Sequence, residues 1–270
     1  MSDPVEENPS YYLPVGAGQA GERYRATPHT GGPWSAAHQH GGPPATLMAR
    51  AIETGALPAG FGISRFTVDL LGPVPVGEVA VGAEVLRAGR AVHLAAATLT
   101  DMATGRACAQ ARAWAIPVAP GPIVNDAGPA STPQDGRTYE APPGWVRGYL
   151  DSVEWRWISG RVGEPGPGTV WMRPLVPLLP GEDLSPLQRI LACVDSGSGI
   201  SAELDIREWD FRNTDLTVHI VRPPEGEWLC IDGLTTIAGA GMGVARTTVS
   251  DARGVVAFSA QSLLVRRRQI

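Results

Sequence analysis

The chain has 270 residues and a formal net charge of −5, with 43% hydrophobic and 18% charged residues. This composition is typical of a globular protein with a substantial core, arranged as two domains or one large one. The acidic balance excludes the basic field that binds a phosphate backbone, so we expect no nucleic-acid partner.

The cysteines and the N-terminal residues bear on the compartment. Cys108, Cys193 and Cys230 are widely spaced, with no CxxC pair and no Cys/His cluster. This predicts reduced thiols and no metal site. Residues 1–7 are acidic and lack an apolar segment, which argues against a signal peptide. No apolar run approaches the length of a membrane span. We therefore expect a cytoplasmic protein with no membrane partner.

The first half predicts one helix followed by antiparallel strands. Residues 1–33 are rich in Gly, Pro and polar residues, and only residues 11–15 read as an edge strand before a loose arm. Pro43 and Pro44 suit the first turn of a helix that ends near Gly55. Its apolar positions recur at helical spacing: Ala45, Met48, Ala51 and Ile52. Alternating apolar residues then predict strands near 66–70, 78–87, 91–102 and 106–116.

The second half predicts the same order of elements. A proline-rich stretch separates the halves, so we assign residues 1–118 to an N-terminal domain, 119–144 to a linker and 145–270 to a C-terminal domain. Ser185 is the predicted N-cap of a helix, with Pro186 at its first position and Gln188 at its third. We expect this helix to run to about Ala202. A strand from Asp215 and three more strands follow.

The amino-acid sequences of the two halves also match. Residues 66–73 lie over residues 216–223 at an offset of 150, and Gly77-Glu78 lies over Gly226-Glu227 at an offset of 149. Order, spacing and turn positions agree together. The sequence therefore predicts the duplication of one unit, a helix with an antiparallel sheet.

Two segments resemble a known family. The helix start His40-Gly41-Gly42-Pro43-Pro44 and the strand from Asp215 to Arg222-Pro223 resemble the acyl-CoA thioesterase II family and related thioesterase-like proteins. The resemblance implies an α+β double hotdog fold, in which two helix-wrapped antiparallel sheets join into one extended sheet. It also implies hydrolysis of an acyl-CoA or acyl-carrier thioester to free acid and thiol, with acyl-CoA as substrate and no cofactor.

In that family an Asp, a Thr and a Gln act on the hydrolytic water. The resemblance assigns these roles to Asp215, which stands seven residues before Arg222-Pro223, to Thr236, which stands eight residues after Trp228, and to Gln261 in the last strand. We expect Asp215 to activate or orient the water, and Thr236 and Gln261 to fix its position by hydrogen bonds.

The repeat carries these three positions back onto Arg65, Arg87 and Arg112 in the first half. None of the three is a carboxylate, hydroxyl or amide. The difference between the halves predicts one active site per chain, carried by the second half.

The start of the first helix is the predicted site for the substrate carbonyl. Gly41 and Gly42 would present backbone N–H groups at the positive end of the helix dipole, beside His40. The alternative is that the glycines only permit close packing.

Asp195 is a rival carboxylate. It lies in Leu191-Ala192-Cys193-Val194-Asp195-Ser196-Gly197, which resembles the helix motif of single-hotdog thioesterases, and its first-half counterpart is about Glu53. We keep Asp195 as a secondary catalytic candidate. Two other functions stay open: a hotdog protein that binds acyl-CoA or lipid without turnover, and a hotdog hydratase or dehydratase. The chain could be a monomer or a homodimer.

Overall fold

The computed structural model of the protein describes residues 9–124 and 127–268. In the first half the strands are β1 (Tyr12–Gly18), β2 (Gly21–Ala26), β3 (Gly31–Gly32), β4 (Ser35–Gln39), β5 (Phe61–Leu70), β6 (Glu78–Arg87), β7 (His93–Asp101) and β8 (Ala107–Pro117). In the second half they are β9 (Val153–Ser159), β10 (Gly168–Pro174), β11 (Trp209–Asn213), β12 (Asp215–Ile220), β13 (Leu229–Ile237), β14 (Met242–Ser250) and β15 (Val255–Arg267). The helices are α1 (Gly42–Gly55), α2 (Gly148–Asp151), α3 (Pro186–Val194) and α4 (Gly197–Ile200).

One antiparallel sheet of thirteen strands spans both halves. Its order is β1-β2-β6-β7-β8-β5-β12-β15-β14-β13-β10-β9, and β11 pairs with the end of β15. β3 and β4 form a separate hairpin. α1 and α3 contact each other, and their apolar side chains join those of the sheet in one buried core. This arrangement confirms the predicted double hotdog fold.

The two halves join at β5 and β12, and the pairing there reveals the internal symmetry. Thr67 lies opposite Thr217 in the ladder, and the Thr217 hydroxyl donates to that of Thr67 at 3.2 Å. These residues are 150 positions apart, which is the offset of the repeat in the sequence. Equivalent residues of the two halves therefore meet at the centre of the sheet. The boundaries predicted for the two domains and the linker stay a prediction.

Two local predictions need correction. The N-terminal segment is not a loose arm after its first strand, because β1 and β2 pair as a hairpin at the edge of the sheet. The second helix ends at Val194 and not near Ala202, and α4 begins at Gly197 after a break of two residues. The break falls in Asp195-Ser196-Gly197, a run of weak helix formers. The acidic residues 1–7 lie outside the described residues.

The predicted capping of α3 is confirmed. The Ser185 hydroxyl accepts a hydrogen bond from the backbone N–H of Gln188 at 3.1 Å, and the Gln188 side chain completes the capping box. The three cysteines are free and buried. No helix in the described ranges is both long and apolar enough to span a bilayer.

Asp251 organises the turn between β14 and β15. Its carboxylate accepts two hydrogen bonds from the Arg222 guanidinium, both at 2.7 Å, and others from the backbone N–H groups of Glu225, Arg253 and Gly254. Burial alone would raise the pKa of Asp251, but these donors outweigh it and hold that pKa well below the ordinary value. A fully buried charge with five donors is expensive to disturb.

We expect Asp251→Ala to lower the free energy of unfolding by about 3–5 kcal/mol, because it removes a buried carboxylate that accepts two hydrogen bonds from Arg222 and three from backbone N–H groups. Asp101→Ala in the first half is the matched control. The Asp101 carboxylate accepts from Ala103 N and the Thr104 hydroxyl at an exposed turn, so its loss should cost only about 1 kcal/mol. Urea denaturation measures both.

The pH dependence provides a second check on Asp251. Because folding lowers its pKa, its stabilisation is complete above the ordinary Asp value of about 3.9 and is lost as the pH falls through the folded value. The difference in stability between wild type and Asp251→Ala should therefore shrink in acid. A difference that is equal for the two aspartates, or that does not change with pH, would contradict this account.

Candidate active site

A buried carboxylate lies where α3 ends. Asp195 is 7% exposed, and its Oδ1 accepts hydrogen bonds from Asn213 Nδ2 at 2.8 Å and from Gln261 Nε2 at 3.1 Å. Gln261 is fully buried, and its Nε2 also donates to the backbone oxygen of Asp195 at 3.0 Å. Its Oε1 accepts from the backbone N–H of Ser198 at 3.0 Å. Two neutral amides therefore fix the position of one carboxylate oxygen.

The other carboxylate oxygen faces the start of α1. Oδ2 lies 3.3 Å from His40 Nδ1. A Cβ added to Gly41 would lie 2.7 Å from Oδ2, and one added to Gly42 would lie 2.8 Å from the carbonyl oxygen of Ala192. The two glycines thus let the helices approach closely. The same approach places the positive end of the α1 dipole beside the Asp195 carboxylate.

His40 is held in a fixed orientation between Asp195 and α2. Its ring stacks on that of Tyr149, with centroids 3.7 Å apart and an angle of 2° between planes. The Tyr149 hydroxyl donates to the carbonyl oxygen of Ala192 at 2.7 Å. His40 Nδ1 accepts from the backbone N–H of Gly42 at 3.2 Å. Burial lowers the pKa of His40, and the nearby Asp195 charge only partly opposes this, so the neutral ring is favoured.

The structure does not assemble the predicted trio of Asp215, Thr236 and Gln261. Gln261 faces the helices, but Thr236 is exposed on the opposite face of the sheet. Its neighbour Thr235 faces the helices instead and shares a 2.8 Å hydrogen bond with the Ser201 hydroxyl. Asp215 pairs across the ladder with Asp69, and its Oδ1 accepts from the backbone N–H of Ser262 at 3.0 Å.

A register change explains why Asp215 and Asn213 point to different faces. Asn213 pairs with Leu263, whereas Thr217 pairs with Ala260, so four steps on β11–β12 oppose three on β15. One extra residue in a strand reverses the faces of all side chains beyond it. Asn213 therefore faces Asp195, and Asp215 faces outward, where it accepts the hydrogen bond that Ser262 N would otherwise give to the ladder.

Asn213 was not identified from the sequence as a site residue, although the pattern of apolar residues around it contains a signal. The half-buried apolar residues Trp209 and Phe211 of β11 fall on odd numbers, whereas the buried residues Leu216 and Val218 of β12 fall on even numbers. This change of phase marks the bulge. It predicts that Asn213 shares the side of Phe211 and that Asp215 does not.

The register also corrects the predicted counterpart of Gln261. Gln261 pairs with Ala245 on β14, and in the first half Ala113 pairs with Ala95 on β7, which lies 150 positions before Ala245. The counterpart is therefore the buried Ala113 and not Arg112, which is exposed on the other face. An apolar residue thus replaces the amide in the first half.

Glu53 occupies the position in the first half that corresponds to Asp195. It lies near the start of α3, where its carboxylate accepts from the Ser185 hydroxyl and from Gln188 Nε2 at 2.7 Å. Burial raises the pKa of Glu53, and these two hydrogen bonds partly oppose the shift. The capping residues of α3 thus hydrogen-bond the Glu53 carboxylate, whereas the Asp195 carboxylate lies directly against the backbone of Gly41.

The sequence matches two models of one family. Residues 30–116 match the acyl-CoA thioesterase N-terminal domain, and residues 129–265 match the acyl-CoA thioesterase C-terminal domain. The chain belongs to the acyl-CoA thioesterase family. This confirms the predicted family and the prediction of a thioester-hydrolysing enzyme. No curated protein sequence matches this thioesterase significantly.

Solved structures share the fold of the thioesterase. A protein from Thermobifida fusca assigned as a thioesterase II has a TM-score of 0.73 at 20% identity, over 94% of this chain and 95% of the other. The acyl-CoA thioesterase II TesB2 from Mycobacterium marinum has a TM-score of 0.69 at 16% identity, over 95% of each chain. A hot dog protein of unknown function from Alicyclobacillus acidocaldarius has a TM-score of 0.72 at 16% identity, over 92% and 93%.

Proposed function

We propose that this thioesterase hydrolyses acyl-CoA to the free acid and coenzyme A, with Asp195 as the general base. The observation that carries the proposal is the buried Asp195 carboxylate, which two amides fix on one side and which faces the first turn of α1 with its other oxygen. Asp195 therefore replaces Asp215 as the leading acid, and Asn213 replaces Thr236 as a partner of Gln261.

The chemistry needs a base for water and donors for the oxyanion. In the proposed reaction a water bound at Asp195 Oδ2 attacks the thioester carbon as its proton passes to the carboxylate. The backbone N–H of Gly41 and the positive end of the α1 dipole stabilise the developing oxyanion, because Pro43 and Pro44 have no N–H and the Gly42 N–H donates to His40 Nδ1. The tetrahedral intermediate then expels the thiolate as the C–S bond breaks, and the thiolate recovers the proton from Asp195.

The amides give the carboxylate its direction. Asn213 and Gln261 both donate to Oδ1, so Oδ2 is left to the water and to the start of α1. Neither amide carries a charge that would weaken the base. Gln261 also links Asp195 to the backbone of Ser198, which keeps the break between the helices in one geometry.

A hydratase or dehydratase is the second candidate, and one observation favours it. Such hotdog enzymes use a close Asp/His pair, and Asp195 Oδ2 lies 3.3 Å from His40 Nδ1. The ring nitrogen nearest the carboxylate already accepts from Gly42 N, however, and the family match is to thioesterases. A binding protein without turnover is the third candidate.

One assay separates the candidates. Purified protein is incubated with saturated and aromatic acyl-CoAs of increasing chain length, and with an enoyl-CoA, while free thiol and enoyl absorbance are recorded. Thiol release supports the proposal. Loss of enoyl absorbance without thiol release would replace it with the hydratase, and ligand-dependent stabilisation without turnover would replace it with the binding protein.

The proposal also includes the cellular setting of the enzyme. We propose that it acts in the cytoplasm, in lipid metabolism, as a monomer or a homodimer.

We expect activity to fall in acid because His40 becomes charged. Its pKa is lowered from 6.5, so the neutral ring dominates at neutral pH and the imidazolium forms only as the pH drops below that value. The charged ring cannot accept from Gly42 N, and its Nδ1–H would instead donate to Asp195 Oδ2 and occupy the base. A pH–rate profile of thiol release should therefore decline below pH 6.5.

The matched variants for this profile are His40→Asn and His38→Asn. His40→Asn removes the titrating ring, so the acid decline should move to lower pH even if the rate is reduced. His38 is exposed, and its replacement should leave the profile unchanged. An unchanged decline in His40→Asn would show that another group controls it.

A further inference from the structure

Four arginines line a surface cleft where β11 begins and β15 ends. The cleft has a volume of about 430 Å³ and is lined by Asp210, Arg212, Arg266, Arg267 and Arg268. Four positive charges and one negative charge give this lining a net charge of +3, within a chain of net charge −5. Such a concentration of positive charge attracts an anionic ligand.

One carboxylate, that of Asp210, forms ion pairs with three of these guanidiniums. Asp210 lies 3.5 Å from Arg212, 3.4 Å from Arg266 and 3.3 Å from Arg268. All three distances exceed the roughly 2.7–2.9 Å of strong charged hydrogen bonds. One Asp210 carboxylate balances only one of the positive charges, and Glu208, which lies 3.4 Å from Arg267, balances one more, so a net positive charge remains. A guanidinium cluster with excess charge is suited to phosphate, whose oxygens its planar donor groups match.

The arginine cleft lies on the strand that carries an active-site residue. β11 ends in Asn213, which donates to Asp195. Among the described strands, β11 pairs only with β15. The strand from Trp209 to Asn213 covers about 13 Å at roughly 3.3 Å per residue. The pantetheine arm of a phosphorylated thioester carrier is a flexible chain of comparable extended length.

A second, smaller cleft is lined by side chains from both faces of β11. Trp209 and Phe211 pack against the apolar cluster on the helix side of the sheet, and both line this cleft. Asp210, Arg212 and Arg268 line it as well, together with Trp34 from the hairpin that precedes His40. The Arg268 guanidinium lies 5.9 Å from the centre of the Trp34 ring. The smaller cleft therefore adds aromatic surface beside the arginine cleft, on the strand that ends in Asn213.

We propose that the arginine cleft binds the phosphate groups of the thioester carrier, with the pantetheine arm along the edge of β11. This inference rests on the proposed function, because it concerns the substrate of the same site. The phosphates have two possible sources, the nucleotide of coenzyme A and the phosphopantetheine of an acyl carrier protein. Both present a phosphate at the end of the same arm.

The test compares substrates with and without phosphate. The double variant Arg212→Gln/Arg266→Gln is assayed with an acyl-CoA, with the same acyl group on a carrier protein, and with the same acyl group on pantetheine, which has no phosphate. We expect KM for the phosphorylated substrates to rise roughly tenfold or more, as for the loss of a charged hydrogen bond, with little change in kcat. Values for acyl-pantetheine should stay unchanged. Arg106→Gln, at an exposed turn in the first half, is the matched control.

The comparison of the three substrates identifies the source of the phosphate. A rise in KM for acyl-CoA assigns the cleft to coenzyme A, and a rise for the carrier protein alone assigns it to phosphopantetheine. Unchanged KM for both would overturn the inference. An equal loss with acyl-pantetheine would also overturn it, because the arginines would then act on the fold or the reaction centre.

Equilibrium binding separates this inference from the proposed function. Coenzyme A binding is followed by the fluorescence of Trp34 and Trp209 for wild type, the double variant and Arg106→Gln. Weaker binding by the double variant alone supports the cleft even if wild type releases no thiol from any substrate. If wild type hydrolyses acyl-CoA but both variants bind coenzyme A as tightly as wild type does, the function stands and the cleft assignment fails.

Discussion

Asp195→Asn is expected to lower kcat for thiol release by roughly 10²–10⁴-fold, the range for loss of a general base. The variant keeps the size of the side chain and an oxygen that can accept from Asn213 and Gln261. It loses the ability to take a proton from water. Its melting temperature should therefore stay close to that of wild type, which thermal unfolding would establish alongside the kinetics.

Asp215→Asn is the matched control for this experiment. Its amide oxygen can still accept from Ser262 N, so the bulge between β11 and β12 should be preserved. We expect near wild-type rates. If instead Asp215→Asn abolishes thiol release and Asp195→Asn does not, the sequence-based assignment of Asp215 is right and the site described here is not the reaction centre.

The confusion between these two aspartates has a physical origin. The spacing of Asp215 to Arg222-Pro223 is a local property of the sequence, whereas the face on which its side chain lies depends on pairing with β15. A single bulge at Thr214 changes that face, and pairing partners that lie 47 residues away along the chain decide whether it forms. Spacing alone therefore could not place the carboxylate.

Gln261 could be predicted because its environment is unusual in the sequence itself. An amide in the middle of an otherwise apolar last strand must find buried partners, and the repeat offers no amide at the equivalent place. The sequence does not predict that Asp195 and Ser198 are the hydrogen-bond partners of Gln261. They lie at a helix break that the apolar pattern of α3 does not reveal.

The sequence favours Asp195 less than Asp215 because both halves carry an acid at the position of Asp195. The structure shows that the two acids have different surroundings. Glu53 accepts hydrogen bonds from the capping residues Ser185 and Gln188, so its oxygens stabilise the start of α3. Asp195 meets a helix whose N-cap is a glycine without a capping side chain, and the Gly42 N–H donates to His40 Nδ1. The Gly41 N–H is the donor left to the substrate in the proposed reaction.

Gly41→Ala should test that arrangement most directly, with an expected loss of about 10²-fold in kcat/KM, the scale for a misplacement of about 1 Å. The backbone at Gly41 has φ −68° and ψ −19°, so alanine can adopt it without strain. The new Cβ, however, would lie 2.7 Å from Asp195 Oδ2 and 2.9 Å from its Cγ. The carboxylate or the helix start must shift, which displaces the base from the carbonyl site.

Gly55→Ala in the same helix is the matched control for Gly41→Ala. A Cβ at Gly55 would meet nothing within 4 Å, so this variant should keep full activity and gain up to about 1 kcal/mol of stability from helix propensity. Thermal unfolding of both variants separates a displaced carboxylate from a damaged fold. Wild-type kinetics in a folded Gly41→Ala would mean that the space between Asp195 and α1 is not where the thioester reacts. Loss of activity in a folded Gly41→Ala, with Gly55→Ala unaffected, would place the reaction in that space.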